Sequence, residues 1–509
     1  MFERKGKFIM QYQSTRDKNI NVESAVAIKT GLSKDGGLFV PSVIPQVTED
    51  ELKIMSSLSY NERAAKILSL FLTDFTQDEI IECVDKAYSK EKFETTDIAP
   101  LYKLKDSVYF LELWHGPTCA FKDMALQILP HLLLKSVKKT GETKEIVILV
   151  ATSGDTGKAA LEGFKNVDGT RIIVFYPEKG VSKIQKLQMA TQDGNNVDVA
   201  AINGNFDDAQ SGVKTIFSDK EYAKTLAQNS FMLSSANSIN WGRLVPQIIY
   251  YFSAYCNLLR NEEISLGEAV NFVVPTGNFG NILAAYYAKE MGLPINKLIC
   301  ASNQNNILTD FINTGIYDRN RSFYTTSSPS MDILISSNLE RLLFHVTGGD
   351  DVRVNVWMNE LKENGKYEVP EITREKIKQI FWAGFCDDDK TLDTIKEVKE
   401  SHGYVIDTHT AVAKNVYDQF VSQTGDDHKT VIVSTASPFK FASSVLDAIA
   451  EKEETDGKDD FELLDMLSEK AELVLPQSLS DLRIKPVVFK TTCEKDELYE
   501  IVSNMLNLA

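Results

Sequence analysis

The sequence predicts an α/β protein built on parallel sheet covered by helices on both faces, preceded by a separate N-terminal unit. Three observations carry this expectation. Short apolar runs without polar alternation recur along the chain, among them "EIVILVA", "TRIIVFYP", "VDVAAI", "NFVVP", "KLICAS" and "KTVIVS". Strands of that kind are buried on both faces. Three of them pass through a loop of small or polar residues straight into a helix-period stretch, at "ATSGDTGKAALEGF", "PTGNFGNILAAYYAKEMG" and "STASPFKFASSVLDAIA". A strand followed by a helix, repeated, builds a parallel sheet with helices on its faces. Finally, a chain of 509 residues is expected to form two or three domains.

Taken in order, residues 1–100 form the N-terminal domain. "SKDGGLFVPSVIP" has the Asp-Gly-Gly of a tight turn and then a short strand running into Pro41. "LKIMSSLSYNERAAKILSLFL" places apolar residues at helical spacing. The α/β pattern occupies 101–509. Its strand signals thin out near 303–400, which reads as a mostly helical insertion. The stretch Leu244 to Leu259 is apolar but broken by Pro246, Gln247 and Asn257, so it is expected to be a buried helix and not a membrane span. The charge run Glu451 to Glu462 reads as a solvated loop.

Composition excludes several classes. Asp and Glu number 72 against 55 Lys and Arg, a net charge of −17 that repels nucleic acid and anionic membrane surfaces. The six cysteines form no CxxC pair and the six histidines no HExxH spacing, so neither a metal site nor a disulfide framework is expected. Reduced thiols and a charged N-terminus, "MFERKGKFIMQYQSTRDKN", point to a cytoplasmic protein.

In parallel α/β folds, ligands sit where strands end and helices begin, because free N–H groups and the positive end of the helix dipole converge there. The three junctions Ala151 to Gly157, Pro275 to Asn281 and Ser434 to Phe441 are such places. None is a dinucleotide or Walker loop. Gly277, Asn278, Gly280 and Asn281 have the chemistry of a phosphate cradle.

Lys122 lies between Phe121 and Asp123 in the largely apolar stretch "LWHGPTCAFKDMALQILP", next to an expected helix start. Burial and a helix N-terminus both disfavour the ammonium form. A neutral lysine amine is a nucleophile towards aldehydes. Most lysines instead carry their ammonium to the surface. Joined to a phosphate cradle, however, an internal lysine gives the outline of a pyridoxal phosphate site.

The segment "HGPTCAFKDMALQ" closely resembles the lysine segment of threonine synthases, which bind pyridoxal 5'-phosphate. "TSGDTG", "SANSINWGR", "PTGNFGN" and "STASPFKF" resemble other segments of that family in the same order, and "STR" and "DGGLFVP" resemble its N-terminal region. The likeness is to the long branch of the family. It implies a fold-type-II pyridoxal phosphate enzyme with two open, mostly parallel sheet lobes, a carbon–oxygen lyase acting on a phosphate. O-phospho-L-homoserine and water would give L-threonine and phosphate. The resemblance implies that Lys122 holds the cofactor and then moves protons. Gly277, Asn278, Phe279, Gly280 and Asn281 would hold the cofactor phosphate, with Thr435 facing the pyridine nitrogen. Thr152, Ser153, Asp155 and Thr156 would receive the substrate carboxylate. Asn237, Ser238 and Arg243 would receive the substrate phosphate, for which a guanidinium has the right fork.

Two positions depart from the expected pattern. Asp155 stands where many fold-type-II enzymes carry asparagine facing the cofactor's 3'-oxygen, and two anions in contact repel. Ser437 stands where long-branch relatives often carry histidine, which removes a titrating group. His115 is the nearest motif histidine and has an orienting or packing role as readily as a catalytic one. Two alternatives stay open on the residues alone: a phospho-lyase giving 2-oxobutyrate from the same substrate, and a non-catalytic anion-binding protein on the same fold. The expected partner is the small-molecule substrate, with the chain a monomer or homodimer.

Overall fold

The computed structural model describes residues 9–152, 154–178 and 181–508, apart from the side chains of 206 and 207. Near the N-terminus, Tyr12–Ser14, Asn21–Val22 and Phe39–Pro41 form an antiparallel three-stranded sheet. The helices Glu49–Ser56, Tyr60–Phe71 and Gln77–Ala87 follow. Each opens with a reciprocal cap, Thr48 with Glu51, Ser59 with Glu62 and Thr76 with Glu79. Such caps contribute about 1 kcal/mol apiece.

The "STR" and "DGGLFVP" segments meet in this unit. Ser14 Oγ donates to Asp35 at 2.8 Å, and a Cβ on Gly37 would lie 2.2 Å from that same hydroxyl, so only glycine fits. Arg16 closes a fork on Glu340 at 2.9 and 2.8 Å, which ties the unit to the helix Leu339–Val346. The fully buried Trp241 packs edge-on or tilted against Tyr12, Phe71 and Tyr287, with ring centroids 5.3, 5.6 and 5.4 Å away. Pairs of that geometry add about 0.5–1.5 kcal/mol each beyond area burial. This aromatic cluster anchors the short helix Trp241–Leu244, which carries Arg243.

Two sheets follow. A six-stranded sheet runs in the order Phe381–Phe385, Ile295–Ser302, Val270–Pro275, Thr430–Ser434, Val108–Glu112, Leu101–Lys105, and only the last strand is antiparallel. A five-stranded, wholly parallel sheet runs Thr491–Cys493, Val197–Ile202, Thr170–Pro177, Glu145–Ala151, Phe231–Ser234. Val270–Pro275 and Thr430–Ser434 are buried throughout, and Glu145–Ala151 is buried except at its two ends, as the unalternating runs require. The stretch 303–400 is largely helical, but it also supplies Phe381–Phe385 to the edge of the larger sheet.

The expected buried helix is Pro246–Arg260. No helix among the described residues is long and apolar enough to cross a membrane. The charge run near 451–462 differs from the loop expected for it. It holds the short helix Lys452–Thr455, and Asp459 then caps the helix Asp460–Ala471 by accepting from Phe461 and Glu462 N–H groups. The solvated charges there serve as helix caps.

Candidate active site

Strand Val108–Glu112 delivers the lysine loop to the edge of a cavity. Leu113 N donates to Ser434 O at 3.0 Å and Phe121 N to Thr435 O at 2.8 Å, so the loop is pinned beside the end of Thr430–Ser434. Asp123, fully buried, accepts from Thr118 N at 2.8 Å and folds the loop back on itself. Burial pushes its carboxyl up to about 6, against the pull of that N–H. Lys122 is 9% exposed at the start of helix Asp123–Leu126. Burial holds its ammonium below the ordinary lysine value; Asp155 opposes this, and Arg243 and Lys440 reinforce it.

The cavity encloses about 290 Å³. Around it the fold gathers Lys122, Thr435, the 277–281 turn, Asn237, Ser238, Arg243, and Thr152, Asp155 and Thr156 of the first loop. Ser153 lies outside the described residues.

The 277–281 turn is built to receive an anion. Phe279 adopts the left-handed conformation, φ 64°, which turns the chain into the eleven-residue helix Gly280–Glu290. A Cβ on Gly277 would lie 2.7 Å from Ser330 O, so protein packing requires that glycine. A Cβ on Gly280 would meet nothing closer than 3.4 Å, so the surrounding protein does not demand glycine there and leaves space for a ligand. Asn281 Oδ1 accepts from the hydroxyls of Tyr250 and Tyr251. Its Nδ2 is buried without a partner among the described residues. Orphan donors at a helix N-terminus suit a phosphate.

In the first loop, Thr152 Oγ1 accepts from Gly154 N at 3.0 Å and Gly157 N at 2.9 Å, which shapes the turn into helix Asp155–Phe164. Asp155 is 5% exposed, and its carboxylate is shared between two lysines. Oδ2 faces Lys122 Nζ at 3.6 Å and accepts from Ser330 Oγ at 3.3 Å. Oδ1 faces Lys440 Nζ at 3.1 Å and accepts from Gln185 Nε2 at 3.1 Å. Burial pushes this carboxyl up, but Lys440 and Lys122 prevail and hold it far below the usual carboxylate range. The two lysines thus provide the counter-charge an anion needs at this position. With its side chain so committed, Asp155 has only backbone to offer a carboxylate ligand.

Arg243 is 6% exposed. Its NH1 donates to Ala236 O at 2.7 Å, and no carboxylate among the described residues forms a salt bridge with it. Burial alone lowers it to about 10, so it stays cationic at neutral pH. A buried, unmatched guanidinium beside Asn237 and Ser238 is a site for an anion.

Sequence reasoning passed over several residues of the cavity. Ser330 lies in a Ser/Pro-rich turn of the stretch read as helical, and accepts from Lys122 Nζ at 3.1 Å. His409 Nε2 accepts from Ser330 N at 3.1 Å, and its Nδ1 meets Asp407 Oδ1 at 2.9 Å, which fixes the tautomer and the Ser330 turn. The "DTH" at 407–409 was the available signal, an Asp two residues before a His at a helix start. Ser437, at the third junction, has a buried hydroxyl without a partner among the described residues.

His115 stands outside the cavity wall. Its ring stacks on Trp114 at 4.2 Å and its Nε2 meets Glu112 at 2.7 Å. Burial works against its protonation, but the hydrogen bond it gives to Glu112 and the Glu94 carboxylate 3.9 Å from Nδ1 outweigh that and hold it up to about 9. A folded-state value raised above 6.5 contributes stability that is complete below pH 6.5 and vanishes as the pH rises through about 9. Denaturant titrations across that window should show the wild type losing on the order of 1–3 kcal/mol more than His115→Gln. Parallel curves for the two proteins would mean that His115 does not hold a proton in the fold.

Comparison with known proteins gives a consistent set of likenesses. Residues 11–88 match the family model "Threonine synthase N terminus", 93–436 "Pyridoxal-phosphate dependent enzyme", and 410–499 "Threonine synthase, C-terminal". The chain is 42% identical over 437 residues to threonine synthase-like 1 of Macaca fascicularis, covering 84% of this chain and 58% of that relative. The chain therefore spans little more than half the length of that protein. It is 38% identical over 469 residues to threonine synthase of Saccharomyces cerevisiae, covering 86% and 89% of the two chains. Among solved structures, threonine synthase from Brucella melitensis with bound PLP superposes with a TM-score of 0.86 at 36% identity, covering 97% of this chain and 99% of that one.

Proposed function

The chain belongs to the threonine synthase family, and on that premise we propose that it converts O-phospho-L-homoserine and water to L-threonine and phosphate. The observation that carries the proposal is the cavity itself. It joins one buried lysine to two separate anion sites: the 277–281 turn with its orphan Asn281 Nδ2, and the unmatched Arg243. A phosphorylated cofactor and a phosphorylated substrate need two such sites. A non-catalytic anion-binding protein needs only one, and no buried amine.

The described residues fit pyridoxal 5'-phosphate. The 277–281 turn would hold its phosphate, Thr435 would face the ring nitrogen, and Lys122 would attach to its aldehyde. When bound, the cofactor supplies that aldehyde and a ring able to store the electrons left when Cα loses its proton. Lys122 takes the proton from Cα and returns one there at the end, a task suited to an amine that burial keeps from being permanently charged. Arg243, with Asn237 and Ser238, grips the substrate phosphate, which is also the group that leaves from Cγ. The first loop offers its backbone N–H groups, at the start of helix Asp155–Phe164, to the substrate carboxylate. The Ser330 turn, held by His409, lines the cavity and keeps a hydroxyl on Lys122.

Water delivered to Cβ makes threonine, whereas early escape of the intermediate makes 2-oxobutyrate. Supplying O-phospho-L-homoserine to the purified protein and resolving the products tests the reading. Threonine and phosphate in equal amounts are expected. Phosphate with 2-oxobutyrate alone would convert the assignment to phospho-lyase, and no phosphate would end it. The six cysteines are all unpaired and buried, which supports a cytoplasmic location, with the chain acting as a monomer or homodimer on a small-molecule substrate.

A further inference from the structure

Asp155 belongs to the lobe of the five-stranded sheet, while Lys122 and Lys440 both come from the lobe of the six-stranded sheet. Its two carboxylate oxygens are divided between them. Lys440 follows strand Thr430–Ser434 in the one-turn helix Pro438–Phe441, and its side chain is fully buried. Besides Asp155, its ammonium donates to Gln188 Oε1 at 2.6 Å. Gln185, one turn earlier on helix Lys183–Ala190, has a fixed amide: Oε1 accepts from Ser182 N at 3.3 Å and Nε2 donates to Asp155. The amides of one helix face therefore bind both members of the Asp155–Lys440 pair. Lys122, on the other oxygen, has a looser hold, 3.6 Å against 3.1 Å, and its second partner is a serine.

Counting buried charge separates the two lysines. With both protonated, the group of three carries a net +1 in a place of low polarisability, where an unmatched charge is costly. Releasing one proton restores neutrality. Lys440 is the worse donor of that proton, because it has the shorter ion pair and an amide carbonyl as acceptor. Lys122 also faces Arg243, a further cation across the cavity, while His409, bonded to the Ser330 backbone, and Asp332 line the same cavity. We propose that Lys440 is a positioning residue that keeps Asp155 ionised and docked between the lobes, so that Lys122 can leave the carboxylate as a free amine. Lys440 itself touches neither substrate nor cofactor. The proposal refines the role given to Lys122 above, but it concerns charges already present in the protein alone.

The test is competitive acetylation of the full-length, cofactor-free protein with trace acetic anhydride across a pH series, read lysine by lysine by peptide mass spectrometry. In the wild type, Lys122 should be labelled at lower pH than Lys440. In Lys440→Met, the neutral arrangement becomes Asp155 with a protonated Lys122, so labelling of Lys122 at pH 7 should slow about tenfold or more. Lys440→Arg should restore the wild-type profile. Identical Lys122 profiles in wild type and Lys440→Met would overturn the proposal. So would earlier labelling of Lys440 than of Lys122 in the wild type, a comparison that stands even if the methionine variant fails to fold. Adding pyridoxal phosphate to the same samples and following its absorbance keeps the two readings apart. A protein that shows the labelling order yet never captures the aldehyde would retain Lys440's role and lose the cofactor assignment.

Discussion

Lys122→Ala is expected to abolish turnover, lowering kcat by about four orders of magnitude or more, and to remove the visible absorbance of covalently held cofactor. Lys440, the other amine on Asp155, is not free to take over, being paired on the far oxygen of that carboxylate and fully buried. The fold should survive, because what remains is the neutral Asp155–Lys440 pair with Gln185 and Gln188 still in place. Lys122 is the member of the group of three that gives up its proton, so its removal strips no matched charge from Asp155 and the cofactor-free variant should melt close to the wild type. Melting curves, cofactor absorbance and phosphate release measured together decide the matter. Normal turnover in this variant would remove Lys122 from the chemistry. Lost turnover accompanied by a collapsed melting temperature would make Lys122 a structural residue.

The parts of this site that were legible in the sequence are those whose chemistry is local. Strand, small-residue loop and helix start lie within about twenty residues of one another, so the turn at 277–281 and the loop at 152–156 announce themselves. A lysine in an apolar run does the same. What was illegible depends on contacts between distant segments. Lys440 sat in a quoted loop without a role, because its partners Asp155 and Gln188 come from the other lobe. The Ser330 turn gains meaning only from Lys122 and His409, which the fold brings to it.

The same division holds for the fold. The central strands show themselves by unbroken apolar runs. Phe381–Phe385 is five residues long, contains Gly384 and is surrounded by helical signals; it is a strand because Ile295–Ser302 offers it an edge. Thr491–Cys493 is three residues long with two of them exposed, and Val197–Ile202 makes it a strand in the same way. The helix at 460 was hidden because the acidic residues that cap it also look like a solvated loop.

Arg243→Ala should leave cofactor binding intact and lower kcat/KM by about ten- to hundredfold. That corresponds to the roughly 1.5–3 kcal/mol of a charge-assisted contact. The residue is buried, so a merely exposed role is already removed by its position, and its surroundings offer one backbone carbonyl and no salt-bridge partner among the described residues. A cation so placed costs stability until an anion arrives. Inorganic phosphate should therefore raise the melting temperature of the wild type by mass action, and raise that of the alanine variant much less. Lysine should rescue in part, since it restores charge without the planar fork. Because Arg243 also discourages protonation of Lys122, the alanine variant should in addition favour the ammonium form of that lysine. The kinetic comparison therefore belongs on a pH plateau, where Lys122 titration no longer contributes. Cofactor titration, phosphate release and melting with and without phosphate, for wild type, alanine and lysine, separate the outcomes. Unchanged kcat/KM would take Arg243 out of the substrate site. Loss of cofactor affinity with little direct effect on substrate would exchange the two anion sites, giving the cofactor phosphate to Arg243 and the substrate phosphate to the 277–281 turn.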